Sequence, residues 1–176
     1  MLDWLKAQFR KEEEASGGTE SVRRIVDALD RLEPERAGYV AAFAYILGRV
    51  AHADRETTRE ETLEMERLIS ERSGLPPEQA MIVVQIAKSQ NLLFGGTEDF
   101  LVAREFGAVA TLEQKLGLLH CLFAVAAAHG GVSTVEDNEI SRVATELRVP
   151  HDEFVRVRVA FRDHLNVLKP AGGPAK

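Results

Sequence analysis

The chain has 176 residues, 45% hydrophobic and 28% charged, which is typical of one soluble globular domain. Its net charge of −6 argues against nonspecific nucleic-acid binding, because phosphate recognition requires a basic surface. Cys121 is the only cysteine, so neither a disulfide framework nor a cysteine-based metal knuckle can form within one chain. No apolar stretch reaches the ~20 residues that span a bilayer, and the N-terminus lacks the apolar segment of a signal peptide. These features predict a cytoplasmic protein.

The N-terminal segment has the pattern of a short amphipathic helix. Leu2, Leu5 and Phe9 recur on one helical face, with Trp4 beside them, and a Ser-Gly-Gly sequence then breaks the pattern. We therefore expect residues 1–18 to form a helix and a flexible joint. Through its four apolar side chains this helix could bind its own domain, a protein partner or a membrane surface. Three consecutive glutamates in the segment disfavour the membrane, because anionic lipids attract basic faces.

Apolar residues at helical spacing continue through the rest of the chain and predict an all-α, single-domain bundle of about seven to eight helices over residues 19–168. Proline marks the start of several helices, because its missing N–H is harmless in the first turn. Pro34 begins a helix that is expected to run to about Ala53. Another begins at Pro76-Pro77 and is expected to fade at Gln90-Asn91.

Three pairs with capping-box spacing mark further helix starts. Thr57 or Thr58 caps the helix after Ala53, and Thr58 has Glu61 three residues later. Thr111 has Gln114 three residues later, and Ser133 has Glu136 at the same spacing. The helix after Thr111 is long and strongly apolar, ends near His129, and is expected at the centre of the core. In that helix Cys121 and the neighbouring His120 are expected to be a buried thiol and a satisfied core histidine.

The last helix contains two competing patterns. Residues 155–159 alternate apolar and basic side chains like a strand. A longer helical pattern, however, extends from Phe154 through Phe161 and Leu165 to Leu168. We predict one helix through Leu168, because the rest of the chain offers no strand with which to pair. Residues 169–176 are expected to form a disordered tail.

The chain also contains an internal repeat. Adding 75 to the numbers of residues 51–68 superposes them on residues 126–143, with Glu61 on Glu136 and Glu64 on Glu139. In both copies an apolar helix ends, an acidic turn follows, and a charged helix begins. The repeat predicts a fold built on a duplicated helical hairpin.

These two turns carry a family resemblance. The pattern Ala-Asp-Gly-x-x-Ser/Thr-x-x-Glu, present twice, resembles the TerB-like (tellurite-resistance protein B) family, in particular its stand-alone bacterial subgroup. The second copy matches at Gly130, Ser133 and Glu136, and the first at Asp54 and Glu61. The resemblance implies an all-helical fold with a pseudo-twofold pair of hairpins and no known enzymatic activity. It also implies a candidate metal site built from acidic residues of both turns, and a link to stress physiology.

The sequence departs from the family pattern in each turn. Arg55 occupies the glycine position of the first copy, and His129 occupies the aspartate position of the second. If the turns meet in space, Asp54, Glu61, His129 and Glu136 would form a mixed oxygen and nitrogen set. Such a set suits Zn²⁺ or Mn²⁺ better than Ca²⁺, which prefers oxygen ligands alone.

Each of these residues also has a structural interpretation. Asp54 could be solvated or bonded to loop N–H groups, and His129 could favour the negative end of its helix, with Gly130 as a left-handed cap. Glu136 could serve only in a capping box. The sequence contains no nucleophile elbow and no phosphate loop. It therefore leaves three hypotheses: a non-enzymatic protein acting through protein–protein contacts, a metal-binding protein or metal-dependent enzyme, and a peripheral membrane adaptor.

Overall fold

The computed structural model describes residues 27–50, 59–93, 99–128 and 130–168. Residues 27–30 are helical, and seven α-helices follow. Their bounds are Pro34–Val50 (α1), Arg59–Ser73 (α2), Pro77–Leu93 (α3), Asp99–Val109 (α4), Leu112–Ala128 (α5), Thr134–Glu146 (α6) and His151–Val159 (α7). Two short 3₁₀ helices, Arg162–His164 and Asn166–Leu168, complete the described chain. These residues contain no strand, so the predicted all-α class is confirmed.

The core is centred on α1. Every residue from Ala37 to Gly48 is buried, and α3, α4, α5 and α6 all pack against this helix. The strongly apolar sequence of α5 predicts that this helix lies at the centre. α5 is buried mainly in its second half, however, and Leu112 in its first turn is 45% exposed. Alanine and glycine are interspersed among large side chains along α1, so neighbouring helices can approach it closely from several sides.

The internal repeat is visible in the order of the helices. α1, α2 and α3 correspond to α5, α6 and α7, and α4 lies between the two sets. The first residues of α2 and α6, Arg59 and Thr134, are 75 positions apart, as the repeat requires. Gly74 and Arg148, just after these two helices, both have positive φ, 67° and 55°. Each second helix packs across the repeat boundary, α2 on α5 and α6 on α1. The predicted duplicated hairpins are therefore present.

Local signals placed most helix starts correctly. Thr111 and Gln114 form a reciprocal capping box, with N···O distances of 2.8 and 3.2 Å. Proline begins α1 and α3 as predicted, although α3 continues to Leu93 rather than fading near Asn91. Residues 155–159 are helical rather than extended. The single helix predicted through Leu168 was wrong, because α7 ends at Val159 and the chain then turns into the 3₁₀ segments.

Among the described residues, none of the helices combines the length and apolar character needed to cross a membrane. The predicted N-terminal helix and joint (residues 1–18) and the predicted tail (169–176) lie outside the described residues.

Candidate functional site

The second acidic turn begins with two glycines that need unusual backbone angles. Gly130 and Gly131 have φ values of 106° and 105°, a region that L side chains rarely adopt. The N–H of Gly131 donates to the carbonyl of Ala127 at 3.2 Å and so closes the end of α5. The predicted left-handed glycine at position 130 is confirmed. The chain can therefore reverse directly from α5 into α6.

The C-terminal end of the described chain closes this turn. We call residues 161–168 the return segment. Val132 lies in an isolated parallel bridge with Leu165, and both side chains are buried. The N–H of Val132 donates to the carbonyl of His164 at 2.8 Å, and the N–H of Asn166 donates to the carbonyl of Val132 at 2.9 Å. The conformation of the turn thus depends on the docking of the return segment.

Glu136 takes part in the capping box that starts α6. The N–H of Ser133 donates to Oε2 of Glu136 at 2.8 Å, and the N–H of Glu136 donates to Oγ of Ser133 at 3.2 Å. This reciprocal pair satisfies two N–H groups that a helix start otherwise leaves unpaired. The predicted capping box of Glu136 is therefore confirmed. Its Oε1 makes no hydrogen bond to another described residue.

Asp137 is the next carboxylate, and it is buried. Arg158 of α7 binds it in a bidentate pair, with Nε to Oδ1 at 2.8 Å and Nη2 to Oδ2 at 2.6 Å. These bonds raise the pKa of Arg158 despite the opposing effect of burial. A parallel pair of charge-assisted hydrogen bonds fixes both distance and orientation. It therefore holds α7 against the first turn of α6.

Two further carboxylates of α6 bind a single arginine at the end of α1. Nε of Arg49 lies 2.5 Å from Glu139, and Nη1 lies 2.7 Å from Glu146. The Arg49 side chain is only 7% exposed. Burial alone would lower the pKa of Arg49, but the hydrogen bonds to Glu146 and Glu139 outweigh this effect and raise it. We call Arg49, Glu139 and Glu146 the repeat joint, because they connect the first repeat to the second.

Comparison with protein families gives a match over the same region. The family described as "Tellurite resistance protein TerB" matches residues 39–159, which is well over half of the chain. The chain belongs to the TerB family. Comparisons with curated proteins and with solved structures returned no match. The resemblance drawn from the two turns is confirmed, and the matched residues include every helix from α2 to α7.

The structure describes only part of the predicted metal site. Glu136 is fully described, whereas Asp54 and His129 lie outside the described residues. Glu61 belongs to α2, but its side chain is not among those described. Within the described part of the chain, no three histidine, cysteine, aspartate or glutamate side chains are grouped to hold a metal ion. The meeting of the two acidic turns therefore stays a prediction. The apolar residues predicted to bind a partner, Leu2, Trp4, Leu5 and Phe9, also lie outside the description.

Neither Arg49 nor Glu146 was predicted as a partner of Glu139. In the sequence, the i, i+3 spacing of Glu139 and Arg142 favours a pair within α6 or a link between the repeats, and the link is the closer contact. Glu139 lies 2.5 Å from Arg49 and 3.3 Å from Arg142. The available signal was Arg49 itself, a charged residue in the apolar run from Val40 to Val50. A charge within such a run is rarely buried unless it is paired.

His120 and Cys121 are buried to different degrees. Burial raises the pKa of the Cys121 thiol to about 12, so this cysteine is the inert core residue that was predicted. His120 differs from the prediction of a satisfied core histidine. Its Nδ1 atom is buried and finds no hydrogen-bond partner among the described residues.

Proposed function

We propose that this TerB domain is a non-enzymatic protein that acts through protein–protein contacts in bacterial stress or envelope physiology. The main support is that the four carboxylates of α6 all make hydrogen bonds or ion pairs within the fold. Glu136 caps α6, Asp137 binds Arg158, and the remaining two carboxylates bind Arg49. Side chains committed to such bonds orient helices, which suits a rigid scaffold better than acid–base chemistry.

The predicted N-terminal helix would supply the contact. Its apolar face of Leu2, Leu5 and Phe9 has the spacing of a helix that docks in a partner's groove. The glycines after it would let the helix reach a partner while the core stays folded. The stress or envelope context is supported by family membership alone.

The experiment compares tagged proteins expressed in the source bacterium, cross-linked, purified and identified by mass spectrometry. We expect a defined partner with the full chain, and its loss from a chain that lacks residues 1–18 and from Phe9→Asp. Glu13→Gln is the matched control, because it alters the same segment without touching the apolar face. Melting temperatures should be the same for all four proteins, because the core does not depend on this segment. An identical set of captured proteins for every variant would rule out a role for this helix.

Vesicle flotation separates this proposal from the membrane adaptor. Binding of the full chain to vesicles rich in phosphatidylglycerol, lost when residues 1–18 are removed, would favour a membrane surface over a protein partner. We expect no flotation, because the net charge of −6 opposes an anionic surface.

A metal-binding role is the second candidate, because the capping bond of Glu136 uses Oε2 and leaves Oε1 available to a ligand. Elemental analysis of protein purified without chelator would then show near-stoichiometric Zn²⁺ or Mn²⁺, lost in Asp54→Ala and Glu136→Ala. Ser133→Ala is the control, since it removes the cap but keeps the carboxylate. Metal-free protein whose melting temperature ignores added Zn²⁺ and Mn²⁺ would exclude this candidate.

A further inference from the structure

His120 lies where α5 meets the return segment. Its ring centroid is 6.0 Å from that of Phe161, the first residue of this segment. Its Nδ1 atom is buried without a hydrogen-bond partner among the described residues. The residue as a whole is half-buried, but leaving this buried atom unpaired is costly, and a charge on the ring adds to that cost. The site therefore accepts a neutral imidazole and penalises an imidazolium.

Phe161 connects this ring to the second acidic turn. It stacks on Phe123 of α5, with ring centroids 5.4 Å apart and planes inclined by 19°. Within the next five residues, the chain makes the two hydrogen bonds that hold Val132. A change at His120 that moves Phe161 would therefore weaken the hydrogen bonds of Val132.

The charges around His120 strengthen the preference for its neutral form. Burial lowers the pKa of His120, and the positive charge of Arg72, near the end of α2, lowers it further. On α5, Cys121 stays a neutral thiol. On the return segment, Arg162 and Asp163 are exposed and face each other at 3.5 Å. On α6 and α7, Asp137 is already bound to Arg158. No described carboxylate forms an ion pair with His120.

We propose that His120 is a proton-sensitive latch. As a neutral ring it holds the return segment on α5, and its protonation releases this segment and with it the bonds that close the second acidic turn. The latch requires neither a partner nor a metal, so it stands independently of the proposed function.

The direction of the pH effect follows from proton linkage. In the closed state the pKa of His120 lies below its ordinary value of 6.5, so the open state binds the proton more tightly. The full stabilisation by the latch is therefore present above pH 6.5. It is lost as the pH falls from 6.5 through the lowered pKa. The protection of amides in the turn should fall by at most about tenfold per pH unit, the limit for one proton.

Hydrogen exchange on the full chain tests the latch between pH 7.5 and 5. The readouts are the amides of Val132 and Asn166, corrected for the intrinsic pH dependence of exchange, with the amides of α1 as an internal reference. We expect protection at Val132 and Asn166 to fall below pH 6.5 while α1 stays protected. In His120→Gln and His120→Phe, two neutral replacements of different shape, protection should not change with pH. His164→Gln, an exposed histidine of the return segment, should behave like the unaltered protein.

Three results would overturn the latch. Protection that stays constant down to pH 5 would show that His120 does not control the segment. A loss that persists in both His120 variants, or that disappears in His164→Gln, would assign the effect to another group. An equal loss at Val132 and throughout α1 would indicate global unfolding rather than release of one segment.

Discussion

The two second helices of the repeat, α2 and α6, occupy corresponding positions but use their charges differently. On α2, Arg67 binds Glu64 and Glu71 of the same helix, at 2.6 and 2.7 Å, and all three side chains are about half exposed. On α6, Glu139 is largely buried and reaches across to Arg49 of α1. Its counterpart by the repeat spacing, Glu64, makes no hydrogen bond or ion pair beyond α2 among the described residues.

The difference shows how a duplicated helix can take on two roles. Exposed pairs within one helix compete with water and salt, so they contribute little to the fold. A buried ion pair between helices fixes their relative orientation, and removing one partner leaves an uncompensated buried charge. α2 is therefore held mainly by its apolar face, whereas α6 is held by its apolar face and by specific ion pairs. Three pairs of substitutions test this comparison.

The largest effect is expected at the repeat joint. Arg49→Met should lower the free energy of unfolding by about 3–5 kcal/mol, because it leaves the largely buried Glu146 without a cation and Glu139 with only the exposed Arg142. Arg67→Met, the matched change on α2, should leave the urea midpoint unchanged within error, because its partners are exposed. Urea unfolding followed by circular dichroism measures both. Similar losses in the two variants would mean that α2 and α6 do not differ in this way.

A smaller effect is expected where α6 meets α7. Asp137→Asn should cost about 2 kcal/mol, because the amide cannot replace both charge-assisted bonds to Arg158. Asp163→Asn is the control, since that carboxylate is 86% exposed. The same unfolding assay applies. A control variant that loses as much stability would indicate a general charge effect rather than a specific buried pair.

The smallest effects concern a feature that the two helices share, because each ends against a glycine of another helix. A Cβ on Gly107 would lie 3.2 Å from the Leu147 Cα at the end of α6, and one on Gly117 would lie 3.4 Å from the Arg72 carbonyl oxygen at the end of α2. Gly107→Ala should cost about 1 kcal/mol. In Gly117→Ala the contact is looser and costs less, and this cost is offset because alanine stabilises a helix relative to glycine. Differential scanning calorimetry should show a lower melting temperature only for Gly107→Ala. A greater loss in Gly117→Ala would reverse the assignment of the tighter contact.

Much of the helical architecture follows from local signals in the sequence. Capping residues act within one turn, so Thr111 and Ser133 could be identified without knowledge of the fold. The repeat spacing then placed the start of α6 relative to that of α2. Gly130 was predicted because few other residues tolerate its backbone angle.

The features that were not predicted correctly depend on contacts between residues distant in sequence. The apolar spacing of Phe161 and Leu165 continues a helical pattern, yet the chain leaves the helix because Leu165 pairs with Val132. The role of Arg49 depends on carboxylates 90 and 97 residues away. Neither contact leaves a periodic signal in the chain. Of the candidate metal site, only Glu136 could be compared with the structure, and its capping role had been predicted.

The repeat joint also imposes an order on folding during synthesis. Arg49 emerges from the ribosome 97 residues before Glu146, which corresponds to about 5–20 s at ordinary rates of translation. During that interval its guanidinium stays hydrated, because burial without a partner is costly. The end of α1 therefore cannot settle into its final place before α6 has been made. The two repeats therefore complete their packing late, after α6 has been synthesised.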